Sequence, residues 1–482
     1  MALSMVQILK AFSSGIIART LALTILTWLL YVFIRRSRAR LPPGPRGIPF
    51  IGNVLQMDNS RPWRTFTKWK QLYGVPSSHL FRSAIEVVLH SGPLVYVNMA
   101  GQPFIILNSK KVVEDLLVHR AQKWRKMRRA SETVLGPKVA TNYYSKQTDE
   151  SVLLAYDILK DPDAWKYHFH RTASSSILSV VYDLPSIQSP EDPIFAFMDE
   201  LVSGGSEALL PGSHLVETFP ILDCLPDSLA KWRTRARAKF QRWSAALEEM
   251  FLRIKNKSTT GVLHWFLFVM ILFPDVQRRA QEELDAVVGQ SRLPSFADMK
   301  QLPYIQAIVK EILRWKPPAP SGVPHALAED DYYEGYLIPK GTIVSVNLWS
   351  INCDPDIHGP DAGQFRPERF LDENGNLKDP RDDGHFSYGF GYRVCVGRHV
   401  ANNFMFIAFA TILWAMQINP VKDSKGQSIL PDPGNDTPIT GVTMHPPAFE
   451  FAVSPRFEDV DMLIQQARDE IVRANEARSS IE

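Results

Sequence analysis

The chemistry of this chain is concentrated in residues 387–398, SYGFGYRVCVGR, where Cys395 is surrounded by Gly389, Gly391 and Gly397. Glycines at those positions let backbone N–H groups come close to the sulfur. A long apolar stretch, from about residue 400 to 416, follows directly and reads as a helix. Its positive end is aimed at Cys395 and favours the thiolate. Zinc needs three or four ligands, and neither Cys224 nor Cys353 has metal-type spacing to Cys395. A nucleophilic thiolate is the main rival, although the motif shows no partner histidine. A single presented thiolate is what an axial ligand to haem iron requires, because electron donation from sulfur favours O–O cleavage. The Gly-x-Gly at 389–391 is not a dinucleotide fingerprint: Val394 stands where the third glycine belongs, and no strand–helix frame follows.

A second constellation is structural. Glu311 and Arg314 lie three apart on a predicted helix over 304–315, so they project from one face. Such a pair alone is usually solvated. FRPERF at 365–370 changes that reading, because Arg369 can bring a second guanidinium to the same carboxylate. A glutamate held between two planar arginines makes a buried staple.

To position these groups the chain needs mostly helices. Residues 276–288 place Val276, Ala280, Leu284 and Val287 on one face, and 304–315 begins behind Pro303. Strands are predicted at 95–98 and 104–107 around Gly101, and as a second pair at 336–338 and 343–346 around Pro339-Lys340-Gly341. The expected fold is mainly α with small β-sheets, in one large domain over residues 46–482 without repeats or internal linkers. With 482 residues, 45% hydrophobic and 22% charged, the chain is globular rather than disordered. A net charge of +3 gives no case for a nucleic-acid partner. Three cysteines exclude a disulfide scaffold and fit a reducing compartment.

One segment does not read as soluble. Residues 16–34, IIARTLALTILTWLLYVFI, carry a single charge, Arg19. As a helix they span roughly 28 Å, close to the hydrocarbon thickness of a bilayer. No small-residue cleavage pattern follows, so an uncleaved anchor is favoured over a signal peptide. Arg35, Arg36, Arg38 and Arg40 come next, which leaves the C-terminal bulk in the cytosol by the positive-inside rule. Residues 35–45 form a basic, proline-rich linker ending in the elbow Pro42-Pro43-Gly44-Pro45.

Elbow, Glu-x-x-Arg, Pro-x-Arg-Phe and glycine-flanked cysteine loop, in that order, resemble the cytochrome P450 superfamily of haem-thiolate monooxygenases, most closely fungal microsomal members. Supporting phrases are PSGVPHALAEDDYYEGYLIPKGT at 320–342 and WSINCDPDIHG at 349–359. The resemblance implies the P450 fold behind a single N-terminal transmembrane helix, with haem b as cofactor and Cys395 as the fifth iron ligand. It implies that Arg393, His325, and Trp124 and Arg128 of KWRKMRR hold the haem propionates. Val323, Pro324 and the loop near 441–443 correspond to substrate-facing segments. Thr259 and Thr260 correspond to the alcohol of the family's distal acid–alcohol pair, with Ser258 where an acid would precede.

Four departures stand out. Tyr388 replaces the usual phenylalanine, and Val396 a frequent proline. Between His119 and Trp124 the segment that caps the distal haem face is nearly missing, and between Lys257 and Thr259 most of the long distal helix is missing. An internal deletion, for instance from an unrecognised exon, is the expected cause; a divergent active site is the alternative.

The function implied is insertion of one oxygen atom from O2 into an apolar small molecule, in fungal secondary metabolism or xenobiotic oxidation. Electrons would come from an NADPH-dependent flavoprotein reductase, since this chain carries no flavin or NAD motif. The location implied is the endoplasmic reticulum membrane, single-pass, with a cytosolic body; acceptor-type sequons at Asn256 and Asn435 are then irrelevant. Two other readings stay open: an isomerase or dehydratase needing neither reductase nor O2, and a haem-binding remnant with little activity.

Overall fold

Two helices that are apolar on every side set the centre of the body. In the computed structural model, α8 (Arg398–Ala415) buries every residue from Phe404 to Ala415. α5 (Ser258–Leu272) buries Trp265 through Ile271. Helices without a polar face belong inside a large core, and Phe266 of α5 stacks on Phe409 of α8 with centroids 4.0 Å apart. The structure describes residues 41–49, 51–73, 93–118, 135–182, 186–187, 200, 216, 220–249, 258–380, 382–434 and 443–479. Residues 16–34 therefore lie outside the described residues. Among those described, no single helix is long and apolar enough to cross a membrane.

The remaining helices pack around this pair. They are α1 (Pro62–Tyr73), α2 (Tyr144–Lys160), α3 (Trp165–Tyr182), α4 (Lys231–Glu249), α6 (Pro274–Val287), α7 (Pro303–Trp315) and α9 (Val460–Ser479). α2 is fastened to α8 by polar ties inside the core: Gln147 Nε2 donates to the Val400 carbonyl at 2.8 Å, and Ser151 meets Thr411 at 3.2 Å. α6 buries Val276, Ala280 and Leu284, as its periodicity requires. Its Glu283 accepts the N–H groups of Tyr304 and Ile305 at 2.9 and 3.2 Å, which satisfies orphan donors at the start of α7. Lys316, just past α7, holds its ammonium 4.7–5.1 Å from the rings of Trp265, Trp315 and Trp349.

Four strands make the main sheet, in the order β1 (Leu94–Met99), β2 (Gln102–Leu107), β6 (Ile343–Val346) and β3 (His325–Ala326). β1 and β2 form the expected hairpin, while β2 runs parallel to β6. The expected pairing of 336–338 with 343–346 is not what the chain adopts. β5 (Tyr336–Ile338) pairs instead with β4 (Asp331–Tyr333), and β6 pairs with β2 and β3. Glu334 and Gly335 both have positive φ, 49° and 80°, the backbone of a two-residue hairpin whose twist suits its strands. That turn outcompetes the Pro339-Lys340-Gly341 signal. A last pair, β7 (Met416–Pro420) and β8 (Phe451–Pro455), closes the far side.

The proline elbow is seated on the body. Pro43 accepts the Tyr96 N–H at 2.8 Å. A Cβ on Gly44 would lie 1.8 Å from the Tyr96 carbonyl oxygen, so only glycine fits against β1 there.

Candidate active site

α7 carries the staple. The Arg314 guanidinium donates twice to Glu311, Nε to Oε2 and Nη2 to Oε1, both at 2.7 Å. Arg369 Nε donates to Oε1 at 3.0 Å, and the backbone N–H of Arg366 reaches the same oxygen at 2.8 Å. Glu311 and Arg314 are fully buried, and Arg369 is 9% exposed. Spare guanidinium donors go to carbonyls: Arg314 to Asn352, Ala362 and Gln364, and Arg369 to His358 and Asp361. The structure thus brings all three residues together around one carboxylate, and Asp361 gives Arg369 a second one at 3.2 Å, so that the charges are compensated as a buried cluster requires.

The same helix anchors the cysteine loop. Ser387 donates its hydroxyl to the Leu313 carbonyl near the end of α7. Asn352 bridges to the loop twice, donating to Ser387 Oγ at 2.9 Å and accepting the Phe386 N–H at 2.8 Å. The loop then turns through Gly389 (φ 81°) and Gly391 (φ 59°), left-handed positions that glycine occupies without strain. A Cβ on Gly391 would sit 2.7 Å from the Leu117 carbonyl oxygen. Cys395 donates its N–H to the Tyr388 carbonyl at 2.8 Å and lies exposed, two residues before Gly397, the N-cap of α8. Its sulfur is therefore next to the positive end of an 18-residue helix.

Behind the loop stands a polar chain. Tyr388 donates its hydroxyl to Asn402 Oδ1, Asn402 donates to Asp383 at 3.1 Å, and Arg398 lies 3.7 Å from Asp383. Burial, and then the charges of Cys395 and Asp383, push the Tyr388 phenol well above its ordinary range, so it stays a neutral donor. His385 accepts the Ser387 N–H at Nδ1 and is 7% exposed. Burial, with Lys310, His358 and Arg314 nearby, pulls it down to about 3. His358 is pulled to about 4, by burial and then by Arg314 and Arg369.

His325, on β3, and Arg393, in the cysteine loop, face each other electrostatically. The imidazole is lowered by burial and then by the Arg393 charge. Two adjacent nitrogen donors suit a pair of carboxylates. Added Cβ atoms on Gly389 and Gly397 would meet nothing within 4 Å. An exposed thiol, open space on either side of it and one guanidinium beside an imidazole donor fit haem with its propionates. Trp124 and Arg128, expected to complete the propionate set, lie outside the described residues. Among the described residues, no three His, Cys, Asp or Glu side chains converge as a metal-ion cluster.

Ser258, Thr259 and Thr260 form the first turn of α5. Thr260 is 5% exposed, and its hydroxyl has no hydrogen-bond partner among the described residues. Gly261 lets the backbone of Met444 and the ring of His445 approach, 3.3 and 3.5 Å from where a Cβ would be. Of the segments expected to face substrate, Val323 is 55% exposed and Thr443 is buried, while 441–442 lie outside the described residues. Sequence reasoning missed Asn352, Ser387, His385 and Asn402. Asn352 lies within WSINCDPDIHG and Ser387 opens SYGFGYRVCVGR, so a signal was present for those two.

Comparison with known proteins agrees with this geometry. A family model described as cytochrome P450 matches residues 256–453. A cytochrome P450 monooxygenase of Armillaria gallica is 37% identical over 521 residues, covering 93% of this chain and 96% of that protein. One from Postia placenta is 35% identical over 527 residues (94% and 96%), and one from Amanita muscaria, iboC, 32% over 551 (90% and 94%). The chain belongs to the cytochrome P450 family, whose members bind haem and use O2 and a redox-partner reductase to oxidise small molecules. These alignments are longer than the 482 residues of the chain. The relatives therefore carry residues inside the aligned stretch that have no counterpart here.

Proposed function

We propose that this protein is a membrane-attached haem-thiolate monooxygenase of the endoplasmic reticulum. Its substrate is an apolar small molecule of fungal secondary metabolism or a xenobiotic, and its electrons come from an NADPH-dependent flavoprotein reductase. The observation that carries the enzymatic part is the exposed Cys395, held by Tyr388 at the start of α8 and tied through Ser387 and Asn352 to the staple helix. The apolar run 16–34 and the four arginines behind it support the location.

Haem, when bound, supplies the iron centre at which O2 is split, aided by electron donation from the sulfur. Cys395 presents that sulfur, and the end of α8 keeps it in the thiolate form. Arg393 and His325 would hold its ionised propionates. Thr260 offers a hydroxyl that can pass a proton, but Ser258 before the threonines cannot replace a carboxylate as the acid of a relay near neutral pH.

A second reading is favoured by one observation. The alignments outrun the chain, and the family match begins at residue 256, where α5 itself starts only at Ser258. This supports an internal deletion that removes most of the distal helix, leaving a protein that binds haem but couples poorly. One experiment separates the readings: product formation and NADPH consumption with reductase, measured beside the ferrous–CO spectrum. Product stoichiometric with NADPH supports the monooxygenase; NADPH use without product supports the deletion; product without NADPH would indicate an isomerase or dehydratase.

A further inference from the structure

Lys316 is a charged side chain in a place where packing does not ask for one. It follows α7 directly, is 3% exposed, and holds its ammonium 4.8, 4.7 and 5.1 Å from the ring centres of Trp265, Trp315 and Trp349. The three rings come from α5, from the last residue of α7 and from the short helix Leu348–Asn352. Trp315 is itself pinned, donating Nε1–H to the Gly363 carbonyl at 3.0 Å. Ring faces attract a cation, and more strongly away from water. Methionine would nevertheless fill the same space with favourable sulfur–ring contacts, and a buried ammonium is costly unless it holds something polar. One polar group that it holds is the Pro433 carbonyl, at 3.2 Å.

Pro433 begins a stretch of chain that returns to the same box of rings. Trp265 Nε1 donates to the Met444 carbonyl at 3.4 Å. The Met444 N–H goes to the Pro318 carbonyl, two residues after Lys316, at 2.8 Å. The segment beyond Pro318 is tied to the third wall, because the Trp349 N–H donates to the Pro320 carbonyl at 3.1 Å. Ser345 of β6 adds a bond from its hydroxyl to the Ser321 carbonyl at 2.6 Å. Gly322 then turns with φ 64°, and Val323 follows it, exposed. Two straps therefore start from Lys316 and its rings. One leads to Val323 and Pro324, the other ends at Pro433 and Met444, and both belong to segments that correspond to substrate-facing ones.

We infer that Lys316 is a positioning residue for substrate: its ammonium, seated among Trp265, Trp315 and Trp349, fixes Pro433 and Met444 against the segment that leads to Val323. It acts through the backbone that it holds, and so helps to set which apolar molecules fit. This deepens the monooxygenase reading given above and rests on it.

The test uses the full-length, haem-loaded protein with Lys316→Met and Lys316→Arg. Amide hydrogen exchange is followed at Met444 and Trp349, whose N–H groups close the two straps, and at residues 404–415 of α8 as a core reference. Lys316→Met should speed exchange at Met444 about tenfold, as loss of one hydrogen bond from a charged donor allows, and leave α8 unchanged. Lys316→Arg keeps a cation that stacks on ring faces and should restore slow exchange. Two iron-binding probes are then titrated by the haem Soret shift: imidazole, which reports the iron alone, and miconazole, whose large apolar arms also report the surrounding walls. Lys316→Met should weaken miconazole about tenfold and leave imidazole unchanged, with recovery in Lys316→Arg. Unchanged exchange at Met444 overturns the inference. So does equal acceleration in α8, which would make Lys316 a general core residue, and so does an equal effect on both probes or on neither. If the unaltered chain binds neither imidazole nor CO, the monooxygenase reading fails by itself, and exchange at Met444 still decides whether Lys316 holds the straps.

Discussion

The Cys395 N–H donates to the Tyr388 carbonyl across 2.8 Å, while the Tyr388 hydroxyl reaches Asn402 on α8. The loop is therefore clamped at both its backbone and its aromatic ring. Cys395→Ser should abolish the red-shifted Soret band of the ferrous–CO complex, whereas Cys224→Ser and Cys353→Ser should keep it. Tyr388→Phe retains the ring and the carbonyl but loses one hydrogen bond, so the band should persist with about 1 kcal/mol less thermal stability. A normal CO spectrum in Cys395→Ser would refute the thiolate assignment.

Glu311 lies fully buried between Arg314 and Arg369. Glu311→Ala would strand the Arg314 guanidinium, leave Arg369 with Asp361 alone, and cost about 3–5 kcal/mol. Soluble yield and haem incorporation should both fall. A variant that binds haem normally and only changes its product profile would contradict a structural role.

Acid lability follows from His385 and His358. Their folded values, about 3 and about 4, lie below the unfolded value of 6.5. Between these limits the unfolded chain binds more protons, so stability is complete above pH 6.5 and falls as pH drops, by at most about 1.4 kcal/mol per pH unit for each histidine. Glu283 acts in the opposite direction. Burial raises it to about 7, against 4.5 when unfolded, so its contribution is present at low pH and is lost as pH rises toward 7. Melting temperatures from pH 4.5 to 7 should show a shallower acid slope in His385→Asn and a steeper one in Glu283→Gln. Parallel curves for all three proteins would disprove this account.

The distal side should be inefficient. With a lone buried hydroxyl at Thr260 and Ser258 before it, the chain is expected to consume NADPH with little oxygenated product. Thr260→Ala should change little. Inserting the two missing segments from a close relative, before Trp124 and before Thr259, should restore coupling. Well-coupled hydroxylation by the unaltered chain would show that the deletion reading is mistaken.

What could be read in advance divides by the range of the interactions involved. Helices such as α6 and α7, and the β1–β2 hairpin, were legible because their apolar spacing and turn glycines are local. The staple was legible because FRPERF and Glu-x-x-Arg are both short patterns. The partner of β5 was misjudged because two turn signals competed within ten residues, and only their φ angles show that Glu334-Gly335 prevails. Asn352 holding Ser387, and Tyr388 reaching Asn402, join residues remote in sequence through side chains with no periodicity to betray them.

The parallel pairing of β2 with β6 has a consequence for biosynthesis. Phe104 must find Ile343, and at about 5–20 residues per second the ribosome needs roughly 10–50 s to deliver the second strand after the first. For that interval the β1–β2 hairpin is complete but carries a bare edge, with Ile105, Ile106 and Leu107 waiting for a neighbour. The yield of this protein in any host should therefore depend on elongation speed and on holdase chaperones acting on a nascent chain of a few hundred residues.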